Sequence, residues 1–146
     1  MVRRAGIGRL RVSWGVLALS FGTGLVGLSG RWVWAWLLGV YLGSLLAHEG
    51  GHVFAVRIVG GRIRCVTIAA LGGSTEWHGA PDRAGVAAVA LAGPAVSLCV
   101  AAAASMAPGP RWELIAGLNL LVAIGNLIPL PGSDGSTLLA VARTRR

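Results

Sequence analysis

The stretch that decides the fold, residues 32–60, reads WVWAWLLGVYLGSLLAHEGGHVFAVRIVG. It is long enough to cross a bilayer, since a transmembrane helix needs about 20 mostly apolar residues. The same stretch nevertheless contains His48, Glu49 and His52. Because ionisable side chains at membrane depth are costly, their presence favours a functional role over simple packing.

The spacing of these three residues, H-E-x-x-H, favours a metal site. Residues i and i+4 share one face of a helix, so the imidazoles of His48 and His52 can bind one zinc ion. Glu49 then lies beside the ion, where its carboxylate can act as a general base. A chance match is the alternative for so short a motif, but the membrane setting favours the metal.

The composition indicates that lipid is the solvent. Of the 146 residues, 55% are hydrophobic and 12% are charged, whereas a soluble domain carries about 25% charged residues. The net charge is +8, but the arginines flank apolar segments and form no single basic stripe, which argues against nucleic-acid binding. Cys65 and Cys99 are isolated and predict no disulfide framework. The length predicts one domain, residues 1–146.

Four apolar segments predict an all-α integral membrane protein, with spans at roughly residues 12–30, 32–60, 84–107 and 112–131. In the polar loop between the second and third spans, the β-branched run 63–68 predicts a short strand or hairpin. Its exposed edge either pairs with an extended substrate or belongs to an ordinary surface loop.

The first apolar segment resembles a signal peptide, but it is long for one and lacks an Ala-x-Ala cleavage site. We therefore expect it to be retained.

Arginine placement predicts how these spans are oriented. With four crossings, Arg31 and Arg111 fall on one side of the membrane and the other eleven arginines on the opposite side. The eleven are Arg3, Arg4, Arg9, Arg11, Arg57, Arg62, Arg64, Arg83, Arg143, Arg145 and Arg146. Since cytoplasmic loops are enriched in arginine, both termini, the middle loop and the opening of the site should be cytoplasmic.

A catalytic zinc site takes three protein ligands, so the two histidines leave one missing. His78 lies in the middle loop, and we interpret it as a surface residue. Asp134 is the better candidate, because it follows the fourth span in a segment that Pro129 and Pro131 prevent from being helical. Non-helical backbone at membrane depth is tolerated where it lines a cavity. A helix-capping role is the alternative for this aspartate.

Taken in order, three motifs resemble the site-2 protease family of intramembrane zinc metalloproteases. They are the HEGGH sequence, Ala92-Gly93-Pro94 in a later span, and N-x-x-P-x-x-G-x-D-G at residues 126–135. The resemblance implies a three-helix catalytic core within residues 32–140. It also implies one zinc ion per chain held by His48, His52 and Asp134, with Glu49 as general base and Asn126 orienting substrate or water. Family members often carry an asparagine where this chain has Ser97, which leaves the role of that position open.

The resemblance implies hydrolysis of peptide bonds in membrane-embedded substrate segments by zinc-activated water. It also suggests membrane-tethered substrates, such as anti-sigma or transcription factors, in a prokaryotic cell membrane. From the 146 residues we expect no PDZ or CBS domain beside this core. Two alternatives stay open: a non-catalytic membrane zinc-binding protein, and a different integral-membrane zinc peptidase. The second would take a later glutamate as ligand, and neither Glu76 nor Glu113 lies in a fitting motif.

Overall fold

The apolar stretch around His48 forms one continuous helix in a computed structural model of the chain, which describes residues 9–28, 30, 32–70, 72–79 and 81–144. The described residues form five helices and three strands. In chain order these are β1 (Arg9–Val12), α1 (Trp14–Leu28), α2 (Trp32–Ile58), β2 (Arg62–Ala69), β3 (Gly72–His78), α3 (Arg83–Ser105), α4 (Pro110–Leu127) and α5 (Asp134–Arg143). The mainly helical prediction is confirmed. Five of the arginines used for topology lie outside the described residues: Arg3, Arg4, Arg31, Arg145 and Arg146.

The helices follow the predicted spans closely in the middle of the chain and less closely elsewhere. Both α2 and α3 begin and end within two residues of the predicted bounds. Helix α1 has 15 residues and is shorter than predicted, and α4 ends at Leu127 because the prolines beyond it cannot continue a helix. Within the described ranges, α3 is the one helix long and apolar enough to be a candidate membrane span, while α1 is apolar but shorter. The count of four spans stays a prediction.

The predicted hairpin is present and belongs to a three-stranded sheet in the order β1-β2-β3. Strands β2 and β3 pair antiparallel, and β1 pairs parallel with β2, placing Arg9 opposite Cys65 and Val12 opposite Ile68. The sequence did not predict β1, because its four residues were interpreted as the basic flank and start of the first span. Strand β3 is an edge strand, so its outer edge pairs with none of the other described strands.

Helix α3 lies at the centre of the helical part, packed against α2, α4 and α5. A glycine on α2 allows a close approach to α3, because a Cβ at Gly51 would lie 2.6 Å from the carbonyl oxygen of Ala92. Small residues let membrane helices approach in this way. The result is that one face of α3 lies directly against the two histidines of α2.

Two contacts attach the hairpin to α2. The hydroxyl of Tyr41 donates to the carbonyl oxygen of Ala70 at 3.0 Å, next to the turn between β2 and β3. At the other end of β3, Trp77 packs against the buried cluster that contains Ala55 and Val56. These contacts fix β3 along the part of α2 that carries His48, Glu49 and His52.

Candidate metal centre

Three predicted ligands converge at one point. The Nε2 atoms of His48 and His52 are 3.2 Å apart. Asp134 places Oδ2 3.2 Å from Nε2 of His48 and Oδ1 3.3 Å from Nε2 of His52. Both histidines are buried, and Asp134 is partly buried. Among the described residues, these three side chains form a group that can hold a metal ion.

The separations fit tetrahedral zinc. Zinc binds histidine nitrogen and carboxylate oxygen at about 2.0–2.2 Å, so two of its ligands at the tetrahedral angle lie about 3.4 Å apart. The measured distances are 3.2 and 3.3 Å. Oδ2 of Asp134 is buried and makes no hydrogen bond, although it lies 3.2 Å from a histidine nitrogen. An acceptor left in this state is available to a cation, so the residues present fit the ion.

Helix α3 holds both imidazoles from behind. Nδ1 of His52 lies 2.8 Å from the carbonyl oxygen of Val89, and Nδ1 of His48 lies 3.0 Å from Oγ of Ser97, whose side chain is fully buried. Because a carbonyl oxygen only accepts, the Nδ1 of His52 carries the proton and its Nε2 keeps a lone pair for a metal. Outer partners of this kind orient metal-binding histidines and fix their tautomer.

Gly93 lies between these two contacts, one helical turn from each. A Cβ at position 93 would lie 2.2 Å from Nε2 of His52 and 2.7 Å from Nε2 of His48. A side chain there would therefore occupy the space between the ligand atoms. This gives the glycine of the Ala92-Gly93-Pro94 motif a steric explanation.

Asp134 is positioned by the break between α4 and α5. Ser133 is the N-cap of α5, since its Oγ accepts from the backbone N–H of Ser136 at 3.1 Å. The capping alternative for Asp134 is therefore wrong: it is the first helical residue, and its side chain is free to face the histidines. A metal needs the deprotonated carboxylate, whose two oxygens face the two imidazoles here.

The end of α5 is held as well. The guanidinium of Arg83, the first residue of α3, donates to the carbonyl oxygen of Val141 in the last turn of α5. A cation at the C-terminal end of a helix is also favoured by the helix dipole. Helix α5 is therefore fixed to α3 at the end opposite Asp134.

Glu49 borders the same cavity as the three ligands. The cavity has a volume of about 150 Å³ and is also lined by Asn126 and by residues of β3, so it has room for several water molecules. The Glu49 side chain is 4% exposed, and its Oε2 accepts a hydrogen bond from the hydroxyl of Thr75 at 2.6 Å.

Two other residues named from the sequence lie as follows. The side-chain amide of Asn126 donates to the carbonyl oxygen of Val122 at 2.9 Å. His78 is exposed at the end of β3, as predicted for a surface residue.

Comparisons with known proteins found two related sequences and a solved structure of similar fold. Over an alignment of 163 positions the chain is 34% identical to proteins of two Mycobacterium tuberculosis strains, Erdman and H37Rv, each named "Putative zinc metalloprotease Rip3". The alignment covers 94% of this chain and 42% of the relatives, so the chain spans less than half their length. The solved structure of a site-2 protease from Methanocaldococcus jannaschii matches with a TM-score of 0.76, over 93% of this chain and 68% of that one.

The named relatives and the structural match both support the resemblance to the site-2 protease family. At 22% identity, the likeness to the solved site-2 protease shows the shared fold, and the resemblance stated from the sequence is confirmed. No family model matches the chain. In this chain, the role left open for Ser97 now has a contact, because its hydroxyl is the partner of His48.

Several residues at the site were not predicted to be functional. Thr75 and Gly73 contact Glu49 from β3, and Val89 contributes only its backbone carbonyl. The sequence carries no pattern that marks them, since each acts through a contact made between distant segments. Ser97 was noticed only as a departure from the asparagine common in site-2 proteases.

Proposed function

We propose that this chain carries the active site of an intramembrane zinc metalloprotease, which hydrolyses peptide bonds in membrane-embedded segments of its substrates. The main observation behind this proposal is that the Nε2 atoms of His48 and His52 and the carboxylate of Asp134 lie within 3.3 Å of one another. The buried side chain of Glu49 lines the same cavity. The zinc metalloprotease named among the relatives and the site-2 protease fold support the same activity.

The chemistry divides among four side chains. His48, His52 and Asp134 hold one zinc ion per chain. With zinc bound, the site would gain a Lewis acid that lowers the pKa of water towards about 7 and stabilises negative charge on a carbonyl oxygen. Glu49 takes the proton of the attacking water and returns it to the leaving amine. Oε2 accepts from Thr75, whereas Oε1 has no hydrogen-bond donor among the described residues, so we assign the proton to Oε1.

The substrate has to present an extended backbone, because a helical segment keeps its carbonyl groups in internal hydrogen bonds. Strand β3 borders the cavity and has an outer edge that pairs with no other described strand. An extended segment can add to such an edge through main-chain hydrogen bonds. This favours a role in substrate binding for the hairpin over an ordinary surface loop. Asn126 also lines the cavity, where its side chain is suited to orient substrate or water.

We also propose that the chain crosses a prokaryotic cell membrane several times. Both termini and the opening of the site would lie on the cytoplasmic side. Eleven of thirteen arginines fall on one side of the four-span arrangement, which supports this orientation. The substrates would be membrane-tethered proteins such as anti-sigma or transcription factors. A reporter domain fused to the C-terminus tests the orientation. We expect external protease to leave the reporter intact in whole cells. Digestion of the reporter would mean that the C-terminus lies outside the cell and that the proposed orientation is wrong.

The activity is tested by comparing wild-type protein with Glu49→Gln. Membranes from cells expressing each version are analysed by quantitative proteomics for fragments of membrane-anchored proteins, and zinc is measured on each purified protein by elemental analysis. We expect fragments only with the wild type and one zinc ion per chain in both, since Glu49 is not a ligand. Equal fragments with both proteins would overturn the assignment. Zinc in both without any fragments would favour the non-catalytic alternative.

A further inference from the structure

Residues of strand β3 contact the carboxylate of Glu49 from one side. Within the described residues, Thr75 is the one hydrogen-bond partner of this side chain, with Oγ1 2.6 Å from Oε2. A carboxylate buried in apolar surroundings without a donor is strongly disfavoured. The hydroxyl of Thr75 supplies one of the donors that this carboxylate, at 4% exposure, requires.

Gly73 makes the second contact. It lies two residues before Thr75, on the same face of the strand. A Cβ at position 73 would lie 2.5 Å from Oε1 of Glu49 and 2.7 and 2.8 Å from its Cγ and Cδ. The backbone of Gly73 thus flanks one oxygen of the carboxylate while Thr75 holds the other.

The strand that makes these contacts is itself fixed. Gly73 pairs with Ile68 and Thr75 with Val66 in the ladder between β2 and β3, and Ile68 is buried. The hairpin is attached to α2 near both ends of β3, by Tyr41 and by Trp77. The contacts of Glu49 are therefore made by a strand whose position is itself fixed by pairing and packing.

We propose that Thr75 is a positioning residue for the general base. It holds Oε2 of Glu49 at the wall of the cavity that the three ligands also line, and the absence of a side chain at Gly73 leaves room for Oε1 beside it. A general base has to lie within hydrogen-bond reach of the proton that it removes, and a displacement of about 1 Å can cost on the order of 100-fold in rate. This inference rests on the proposed protease function.

The test compares Thr75→Val, which removes the hydroxyl at nearly constant volume, with Thr75→Ser, which keeps it. The matched control is Thr67→Val on the neighbouring strand, where the hydroxyl lies 3.7 Å from Sγ of Cys65. Each purified protein is assayed in liposomes on a single-span substrate taken from the fragments that depend on Glu49. For Thr75→Val we expect kcat to fall roughly 10- to 100-fold, with KM and zinc content unchanged. Thr75→Ser and Thr67→Val should both stay close to wild type.

Two results would overturn the positioning role while leaving the protease function intact. One is a Thr75→Val protein with wild-type or higher kcat, the latter meaning that the hydrogen bond restrains Glu49 in a resting state. The other is a Thr75→Ser protein as slow as Thr75→Val. A wild-type protein with no Glu49-dependent cleavage overturns the proposed function itself.

A measurement without substrate tests the contact separately. Thermal unfolding of Thr75→Val, Glu49→Leu and the double variant forms a double-mutant cycle. We expect the double variant to lose clearly less stability than the two single losses added together, because either change alone leaves one polar group unpaired. Additive losses would mean that the two side chains do not interact.

Discussion

Gly93→Ala should abolish zinc binding while the protein stays folded. The added methyl group would lie 2.2 Å from Nε2 of His52 and 2.7 Å from Nε2 of His48. Ordinary contact begins at 3.4 Å, so the imidazole of His52 has to retreat by about 1 Å to relieve the repulsion. Zinc–ligand distances tolerate only about 0.2 Å. The displaced nitrogen therefore cannot bind the same ion as Asp134 and His48.

The assay is zinc stoichiometry on purified protein, followed by competition with a chromophoric chelator. Wild type should hold one zinc ion per chain, and Gly93→Ala less than about a tenth of that. Gly117→Ala on α4 is the matched control, since a Cβ at that position meets nothing within 4 Å. Circular dichroism should show the same helix content for all three proteins. A Gly93→Ala protein with equimolar zinc and wild-type affinity would refute the proposed position of the metal.

Two further changes separate the ligands from their supports. Ser97→Ala removes the hydroxyl 3.0 Å from Nδ1 of His48 and should weaken zinc binding roughly 10- to 100-fold, as for other outer partners of metal ligands; unchanged affinity in the chelator competition would mean that the contact does not orient the imidazole. Asp134→Asn keeps the shape of the side chain but removes its charge and one carboxylate oxygen, so zinc occupancy measured by elemental analysis should fall to a small fraction of the wild-type value. If occupancy stays at one ion per chain, Asp134 leaves the proposed ligand set.

The parts of the fold that follow from local sequence were predictable. Helices α2 and α3 occupy long apolar runs, whereas the predicted fourth span ran to about residue 131 and so overran α4, which ends at Leu127 before the prolines. The ligand pair at positions 48 and 52 depends only on helical periodicity. Asp134 was found as a candidate because it lies on a break in the helix at the same end as those histidines.

The parts that depend on distant pairing were not predictable. Strand β1 has only four residues and takes its structure from pairing with residues more than fifty positions later. Likewise, nothing in the sequence around Thr75 indicates that its hydroxyl reaches a glutamate 26 positions earlier. Such contacts form when the hairpin packs against α2. The local sequence of a short segment does not determine how it packs against a distant helix.

The division of the site between α2 and α5 also has a consequence for the biosynthesis of the protein. Asp134 follows His52 by 82 residues (positions 52 and 134). At a synthesis rate of about 5–20 residues per second, roughly 4–16 s pass between the two. During that interval the nascent chain has the histidine pair and the glutamate but not the third proposed ligand. If the chain has the proposed protease function, it would therefore stay inactive towards neighbouring nascent membrane segments until α5 is made and packs against α3.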